Sequence, residues 1–368
     1  MKYYIISGEA SGDLHASNLM RYLKEKDAEM EVRAWGGDLM QDQGATLVKH
    51  FKDLAFMGFL EVLMNIRTIL SNIKLCKKDI LEYKPDALIL VDYPGFNMRI
   101  AKFAKQYNIP VYYYISPQVW AWKKNRVYDI KKYVTKLYTI LPFEKDFYAQ
   151  YDYKVEYLGH PLLDAVSNYK NSLANEIGLW KKGARPLVAL LPGSRAQELN
   201  KMLPKMLEVE KQFPNCDFII AGVQALGDDF YQSFLKESSI KVVYNNTYPL
   251  FEQADAALVS SGTATLETAL FNVPQVVCYQ TSWLSFSLAK LLVDIKYISL
   301  VNLISDKEIV KELLQDDLTV SNMVSELALV LDSKKALEMK CQYTELRTLL
   351  GGEGASKRVA DSIYKDLT

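Results

Sequence analysis

Histidine is nearly missing from this chain. His15, His50 and His160 are the three copies in 368 residues, and none is spaced to share a metal ion with another. The four cysteines (Cys76, Cys216, Cys278, Cys341) stand far apart with no C-x-x-C pair, which argues against zinc and a disulfide framework and suits a reducing compartment. Net charge is missing too: Lys+Arg and Asp+Glu both number 44, so no global field recruits nucleic acid and any basic surface is local. No apolar run reaches the roughly 18 residues of a membrane helix. The uncharged stretch from Thr268 to Ala289 is long enough, but Asn272, Pro274, Gln275, Gln280 and Thr281 make it a poor span. Met1-Lys2-Tyr3-Tyr4-Ile5-Ile6 runs straight into a polar glycine turn and reads as a first strand rather than a signal peptide. The dinucleotide G-x-G-x-x-G, the P-loop and the esterase G-x-S-x-G are absent, as is any Asp-x-Asp. A nucleotide bound here would therefore be neutralised by backbone dipoles and arginine, with no metal and no cofactor.

What is present is a core. Hydrophobic residues make up 49% and charged residues 24% of a 42.0 kDa chain, enough for two domains of ordinary size. Strand-like and helix-like segments alternate throughout, which predicts parallel α/β architecture. The strands read as 3–7, 32–34, 87–91, 111–115, 136–140 and 155–158, then 187–191, 218–221, 241–244, 256–259 and 275–278, with helices such as 13–26 and 98–107 between them. The expected organisation is a Rossmann-like domain over 1–165, an irregular link over 166–185, a second Rossmann-like domain over 186–326 and a helical segment over 327–368. The two domains would face each other across a cleft, with ligands beyond the carboxyl ends of the strands.

Four turns at strand ends carry candidate chemistry. Ser260-Ser261-Gly262-Thr263 feeds an apolar strand into a helix, so free N–H groups and the positive helix end would meet an anion. Gly262 permits close backbone approach, and Glu267 lies one helical turn on, within reach of a ribose diol. This turn suits the diphosphate and ribose of a nucleotide sugar, and equally an ordinary strand-to-helix connection. Pro192-Gly193-Ser194-Arg195 gives the second domain another anion turn, with Arg195 either the counter-charge of a departing diphosphate or a surface arginine. In Ser7-Gly8-Glu9-Ala10-Ser11-Gly12-Asp13, the residues Glu9, Ser11, Gly12 and Asp13 could meet sugar hydroxyls, or Ser11 and Asp13 could simply cap a helix. Asp92 closes the strand 87–91 where a general base would be needed, or is a turn aspartate ahead of Pro94.

Three further segments stand out. Ile115-Ser116-Pro117-Gln118-Val119-Trp120-Ala121-Trp122 puts two tryptophans ahead of Lys123, Lys124 and Arg126, where they could line a sugar or lipid site or pack as core indoles. His160, in Gly159-His160-Pro161, could bond a phosphate or serve structurally at a hinge. Phe56, Met57, Phe59, Leu60, Leu63, Ile66, Ile69 and Leu70 make a segment apolar around most of its circumference, with lysines just beyond. Such a helix is buried or dips into a membrane interface.

Taken in order, SGEASGD, FMGFLEVL, VDYPGFN, SPQVWAW, LPFEKDFY, LGHPLLD, LLPGSR, SSGTATLE and SLVNL resemble the signature blocks of the lipid-A-disaccharide synthases, from about residue 3 to residue 315. The resemblance implies a bacterial inverting glycosyltransferase of GT-B architecture. Its substrates would be UDP-2,3-diacylglucosamine and 2,3-diacylglucosamine 1-phosphate, and its products a β-1,6-linked disaccharide 1-phosphate and UDP. It further implies Asp92 as base and Gly193, Ser194, Arg195, Ser261, Gly262, Thr263, Glu267 and Asn302 as UDP-sugar contacts. Acylated substrates favour insertion of the 56–73 segment into the inner membrane surface, hence a cytoplasmic protein held peripherally there. A homodimer with exchanged carboxyl-terminal segments is also implied. One departure is Gly95, where the family often carries a second acid. The rival readings are another GT-B N-acetylglucosamine transferase, a non-hydrolysing UDP-sugar 2-epimerase, and a non-catalytic nucleotide-sugar or lipid-binding module.

Overall fold

The computed structural model describes residues 1–53, 66–172, 183–235, 238, 240–281 and 296–368. The chain divides into two compact units, Met1–Ala165 with Leu350–Thr368, and Val166–Leu349.

The first unit is built on a seven-stranded parallel sheet in the order β3-β2-β1-β4-β5-β6-β7. Its strands are β1 Lys2–Ser7, β2 Glu31–Gly36, β3 Thr46–His50, β4 Ala87–Val91, β5 Val111–Tyr114, β6 Lys136–Thr139 and β7 Glu156–Tyr157. The helices between them are α1 Ala10–Lys26, α2 Asp38–Asp42, α3 Ile66–Tyr83, α4 Pro94–Gln106, α5 Arg126–Tyr133 and α6 Glu144–Ala149, and α7 Pro161–Ser172 comes after β7. Alternation along the strands divides the core in two. Tyr4, Ile6, Leu88, Leu90, Val111 and Tyr113 face α3, α4 and α5. Tyr3, Ile5, Ile89, Tyr112, Tyr114 and Tyr138 face α1 and residues 359–363.

The second unit repeats the pattern in six parallel strands, β10-β9-β8-β11-β12-β13. They are β8 Leu187–Leu191, β9 Asp217–Gly222, β10 Lys241–Tyr244, β11 Ala256–Ser260, β12 Gln275–Tyr279 and β13 Lys311–Leu314. Its helices are α8 Ala196–Glu210, α9 Gly227–Gln232, α10 Thr247–Gln253, α11 Thr263–Leu270, α12 Leu300–Ser305, α13 Val320–Leu331 and α14 Ser333–Leu349, and the last helix, α15 Ala355–Leu367, belongs to the first unit. In both sheets the strand order reverses once, between β1 and β4 and between β8 and β11. That reversal is where open α/β sheets bind ligands.

Three expectations are corrected. The strands β3 and β13 have no counterpart among those expected: each is an edge strand of mixed polarity, Thr-Leu-Val-Lys-His and Lys-Glu-Leu-Leu, without the apolar run of a central strand. The stretch from residue 166 is helical through Ser172, because Leu162, Leu163, Ala165 and Val166 are buried and Tyr169 packs edge-on against Tyr248 and Phe271; 173–182 lies outside the described residues. The final segment does not separate at 327. The helix α14 stays with the second unit, where Met339, Tyr343 and Leu346 are buried and Gln275 donates to the Tyr343 hydroxyl at 3.3 Å.

Only residues 350–368 join the first unit. Gly351, Gly352 and Gly354 take φ of 81°, 75° and 89°, a left-handed reversal that glycine makes cheaply. The Asp164 carboxylate then caps α15, accepting from the amides of Ala355 at 3.2 Å and Ser356 at 2.7 Å.

Candidate functional site

Each unit brings two of the expected turns to its own strand reversal. In the first unit Ser7 pairs with Val91 at the ends of β1 and β4, so the turn 8–13 and the turn 92–95 lie side by side. They touch: a Cβ on Gly8 would fall 2.4 Å from the Tyr93 ring, so only glycine fits there. Asp92 and Tyr93 both sit in the left-handed region, with φ of 47° and 48°. For non-glycine residues that conformation costs about 1 kcal/mol or more each. The surroundings enforce it. The Asp92 carbonyl accepts from the Asn97 amide at 2.8 Å and the Tyr113 hydroxyl at 2.6 Å, while the Tyr93 ring stacks on Phe96 at 5.4 Å.

The result is a carboxylate at a strand end with a perturbed acidity. Burial, then the charge of Glu9 on the neighbouring turn, raises the Asp92 pKa to about 6, against a smaller lowering by the Tyr93 amide. A base of that strength is ionised near neutrality yet holds a proton better than an ordinary aspartate. Gly95 is exposed with open space where a Cβ would stand. Glu9 is thus the acid whose charge reaches Asp92 here.

The rest of the first turn divides. Glu9 is half-buried and Ser11 exposed, so both keep surface that a ligand can reach. Asp13 is not: it is 3% exposed and accepts from the amides of Gly37 at 2.8 Å, Leu39 at 3.1 Å and Met40 at 3.2 Å. That carboxylate ties α1 to the start of α2 and has no sugar to meet. Gly12 is likewise a packing glycine, since a Cβ there would stand 3.0 Å from the Ser7 Cβ. His160 takes the structural of its two expected roles. It is buried, its Nδ1 accepts from the Leu162 amide at 3.2 Å, and burial drives its pKa down to about 3, so it is a neutral interior imidazole.

In the second unit Val259 pairs with Leu191, which sets 192–195 beside 260–263. Gly193 has φ 123°, and a Cβ there would meet Glu198 Oε2 at 2.7 Å and the Ser260 hydroxyl at 3.4 Å. Glu198 folds back to accept from the Ser194 amide at 3.3 Å and from Arg195 at 3.4 Å. The Arg195 side chain is 59% exposed. Gly262 caps the start of α11 with φ 138° and faces open space, with Thr263 exposed beside it. Ser261 donates to the Ile298 carbonyl at 3.2 Å. One turn into α11, Glu267 accepts from the Tyr248 hydroxyl at 2.9 Å, and burial raises its pKa.

Asn302 does not join these groups. It is fully buried; its Nδ2 donates to the Val310 carbonyl at 2.8 Å and to Glu312 at 2.9 Å. Its Oδ1 accepts from the amides of Ile309 at 2.7 Å and Val310 at 3.0 Å. Pulling that amide out would strand several buried polar groups at about 1–3 kcal/mol each. Its action on the site is indirect. With Glu312, which takes the Ile298 amide at 3.0 Å, it fixes the segment whose carbonyl receives Ser261. Tyr93, Asn97, Tyr113, Tyr248, Glu198 and Glu312 all shape the two sites. Of these only Glu198, three residues beyond Arg195 at the start of a helix, carried a readable spacing.

Of the apolar segment, Phe56, Met57, Phe59, Leu60 and Leu63 lie outside the described residues, as does the Ile66 side chain. On α3, Ile69 packs against the core and Leu70 is 57% exposed. Trp120 is nearly buried, whereas Trp122 is 41% exposed, with Lys123 and Arg126 at 4.5 and 5.3 Å from its ring. Among the described residues, no group of three His, Cys, Asp or Glu side chains could hold a metal ion.

A family model described as lipid-A-disaccharide synthetase matches residues 3–364. The chain belongs to this family. Its members are glycosyltransferases, and so is this chain. Lipid-A-disaccharide synthase of Trichlorobacter lovleyi is 37% identical over 365 residues, covering 97% of this chain and 95% of the relative. That of Coxiella burnetii is 37% identical over 367 residues, covering 98% and 97%. Solved structures share the GT-B fold at low identity. UDP-GlcNAc 2-epimerase from Neisseria meningitidis bound to UDP-GlcNAc superposes with TM-score 0.69 at 13% identity over 99% of this chain and 100% of that one. The glycotransferase of kitacinnamycin does so with TM-score 0.65 at 15% identity over 100% and 99%. At such identities the likeness speaks for the fold alone.

Proposed function

We propose that this chain joins 2,3-diacylglucosamine from its UDP donor to the 6-hydroxyl of 2,3-diacylglucosamine 1-phosphate, with inversion, giving the β-1,6-linked lipid A disaccharide 1-phosphate and UDP. The observation that carries this reading is the family match over 3–364. The first unit supplies the base: Asp92 takes the proton of the 6-hydroxyl as its oxygen attacks the anomeric carbon, and the bond to the UDP oxygen breaks on the opposite face. The second unit supplies the leaving-group site. Arg195, Gly193 and Ser194 with Ser261, Gly262 and Thr263 meet the charge developing on the diphosphate, and Glu267 takes the ribose hydroxyls. Glu9 and Ser11 are the sugar contacts retained from the first turn. The test is UDP release in detergent from UDP-2,3-diacylglucosamine with and without acceptor. Release that depends on acceptor supports the transferase; release without it, or from a non-acylated donor only, supports the epimerase reading instead.

One observation on the first unit supports a membrane site of action. Its α3, α4, α5 and the loop 122–125 together expose ten cations, Arg99, Lys102 and Lys105 of α4 among them, against two acids, Glu82 and Asp129. In a chain whose charges balance, that is a local basic face beside the exposed Leu70, Leu75 and Trp122, suited to an anionic lipid surface. We expect co-sedimentation with vesicles rich in phosphatidylglycerol, weakened by salt and by Lys102→Glu with Lys105→Glu. Equal binding to neutral vesicles would remove the electrostatic part of this reading. The contact of α15 with α1, sealed by Lys26 and Asp361 at 2.9 Å, could serve a single chain or an exchanged pair. Light scattering separates 42.0 kDa from twice that mass.

A further inference from the structure

The blocks Ser116–Trp122 and Leu141–Tyr148 place no side chain in the two turn sites, and together they form one structure. Glu144 opens α6 and is 1% exposed. One carboxylate oxygen accepts from the amides of Ile140 at 3.1 Å and Leu141 at 2.9 Å, which ties down the turn between β6 and α6. The other accepts from the Ser116 hydroxyl at 2.7 Å. Beside it the Phe143 ring meets Trp120 edge-on at 5.0 Å. Burial raises the Glu144 pKa to about 7, so this carboxylate is kept inside at a cost.

The anchored residue matters because of what precedes it. Ile115 has φ 64°, an outlier for a β-branched side chain, and it joins Ser116 to the end of β5. From β5 both peptide groups of Asp92 are held: its N–H donates to the Tyr114 carbonyl at 3.1 Å, and its carbonyl accepts from the Tyr113 hydroxyl at 2.6 Å. A short path therefore runs from Glu144 through Ser116 and the strained Ile115 to the backbone that aims the Asp92 side chain.

We propose that Glu144 is a positioning residue for the transfer reaction, fixing through Ser116 the β5 turn from which the backbone of Asp92 hangs. This rests on the reading of Asp92 as general base. A misaimed base loses rate without loosening the nucleotide held on the other unit, and that separates positioning from general destabilisation. The experiment compares Glu144→Gln and Ser116→Ala, each alone and combined with Asp92→Asn, for kcat, KM of both substrates and UDP affinity. We expect kcat to fall roughly 10- to 100-fold in Glu144→Gln, less in Ser116→Ala, with UDP affinity unchanged. On the Asp92→Asn background neither substitution should lower the residual rate further. Losses that multiply on that background, or full kcat in both single variants, overturn the proposal. If Glu144→Gln does not fold, Ser116→Ala alone decides, since it deletes one hydroxyl. An Asp92→Asn enzyme as active as the parent would overturn the base reading itself, an outcome visible apart from the others.

Discussion

Asp92→Asn should abolish most of the transfer rate while leaving a better-folded protein. Asparagine keeps the shape but cannot take a proton, so kcat should fall by roughly 10²–10⁴, with UDP affinity intact because the turns proposed for the diphosphate belong to the other unit. In the parent enzyme, kcat should climb as pH rises through about 6, the pKa that burial and Glu9 impose on this carboxyl, and level off above. Stability runs the other way. The folded pKa lies above the ordinary 3.8, so the folded state favours the protonated form, and ionised Asp92 costs stability above pH 6 that is absent below pH 3.8. Removing the charge should stabilise the fold by up to about 3 kcal/mol at pH 8 and by almost nothing at pH 3.5. Thermal unfolding of both proteins at the two pH values reads this directly. A variant less stable than its parent at pH 8 would show that the carboxylate is not under strain.

Arg195→Ala should be the second large loss, on the opposite half of the reaction. The departing diphosphate gains charge as the glycosidic bond breaks, and a donor aimed at such charge is worth about 10²–10³ in rate. The arginine is exposed and pairs with Glu198 at 3.4 Å, a contact loose enough to be exchanged for phosphate oxygens. UDP should bind more weakly and kcat should fall, whereas a lysine in its place restores charge without the two-pronged geometry and should recover only part. If kcat changes less than about twofold while UDP affinity drops, the residue binds substrate and transition state alike.

The chain order of strands and helices was legible because buried parallel strands are written as apolar runs, and Ala87–Val91 and Leu187–Leu191 are fully buried. The four turns were legible for the same reason: once a strand end is known, the residues just past it stand at the ligand-binding edge. Partners were not. Asp13 reads like Asp92, a carboxylate just past a strand, yet its three amide donors come from residues 24 to 27 positions away, which no local pattern announces. Asn302 failed likewise, since an asparagine open to a ligand and one spent on Val310 and Glu312 look alike in one dimension. Of the four edge strands, β3 and β13 escaped because their mixed polarity leaves no apolar run, and α14 was misassigned because the break that frees the tail is the glycine reversal at 351–354, not the start of the helical run.

That tail has a consequence for the chain as it is made. Val359, Ala360 and Ile363 complete the apolar layer that Leu19, Met20 and Leu23 of α1 begin, so the first unit to leave the ribosome is the last to be finished. Domains otherwise fold in order of synthesis. Here the second unit holds all its residues by Leu349, while the first waits, one face uncovered, until residues 350–368 have been made.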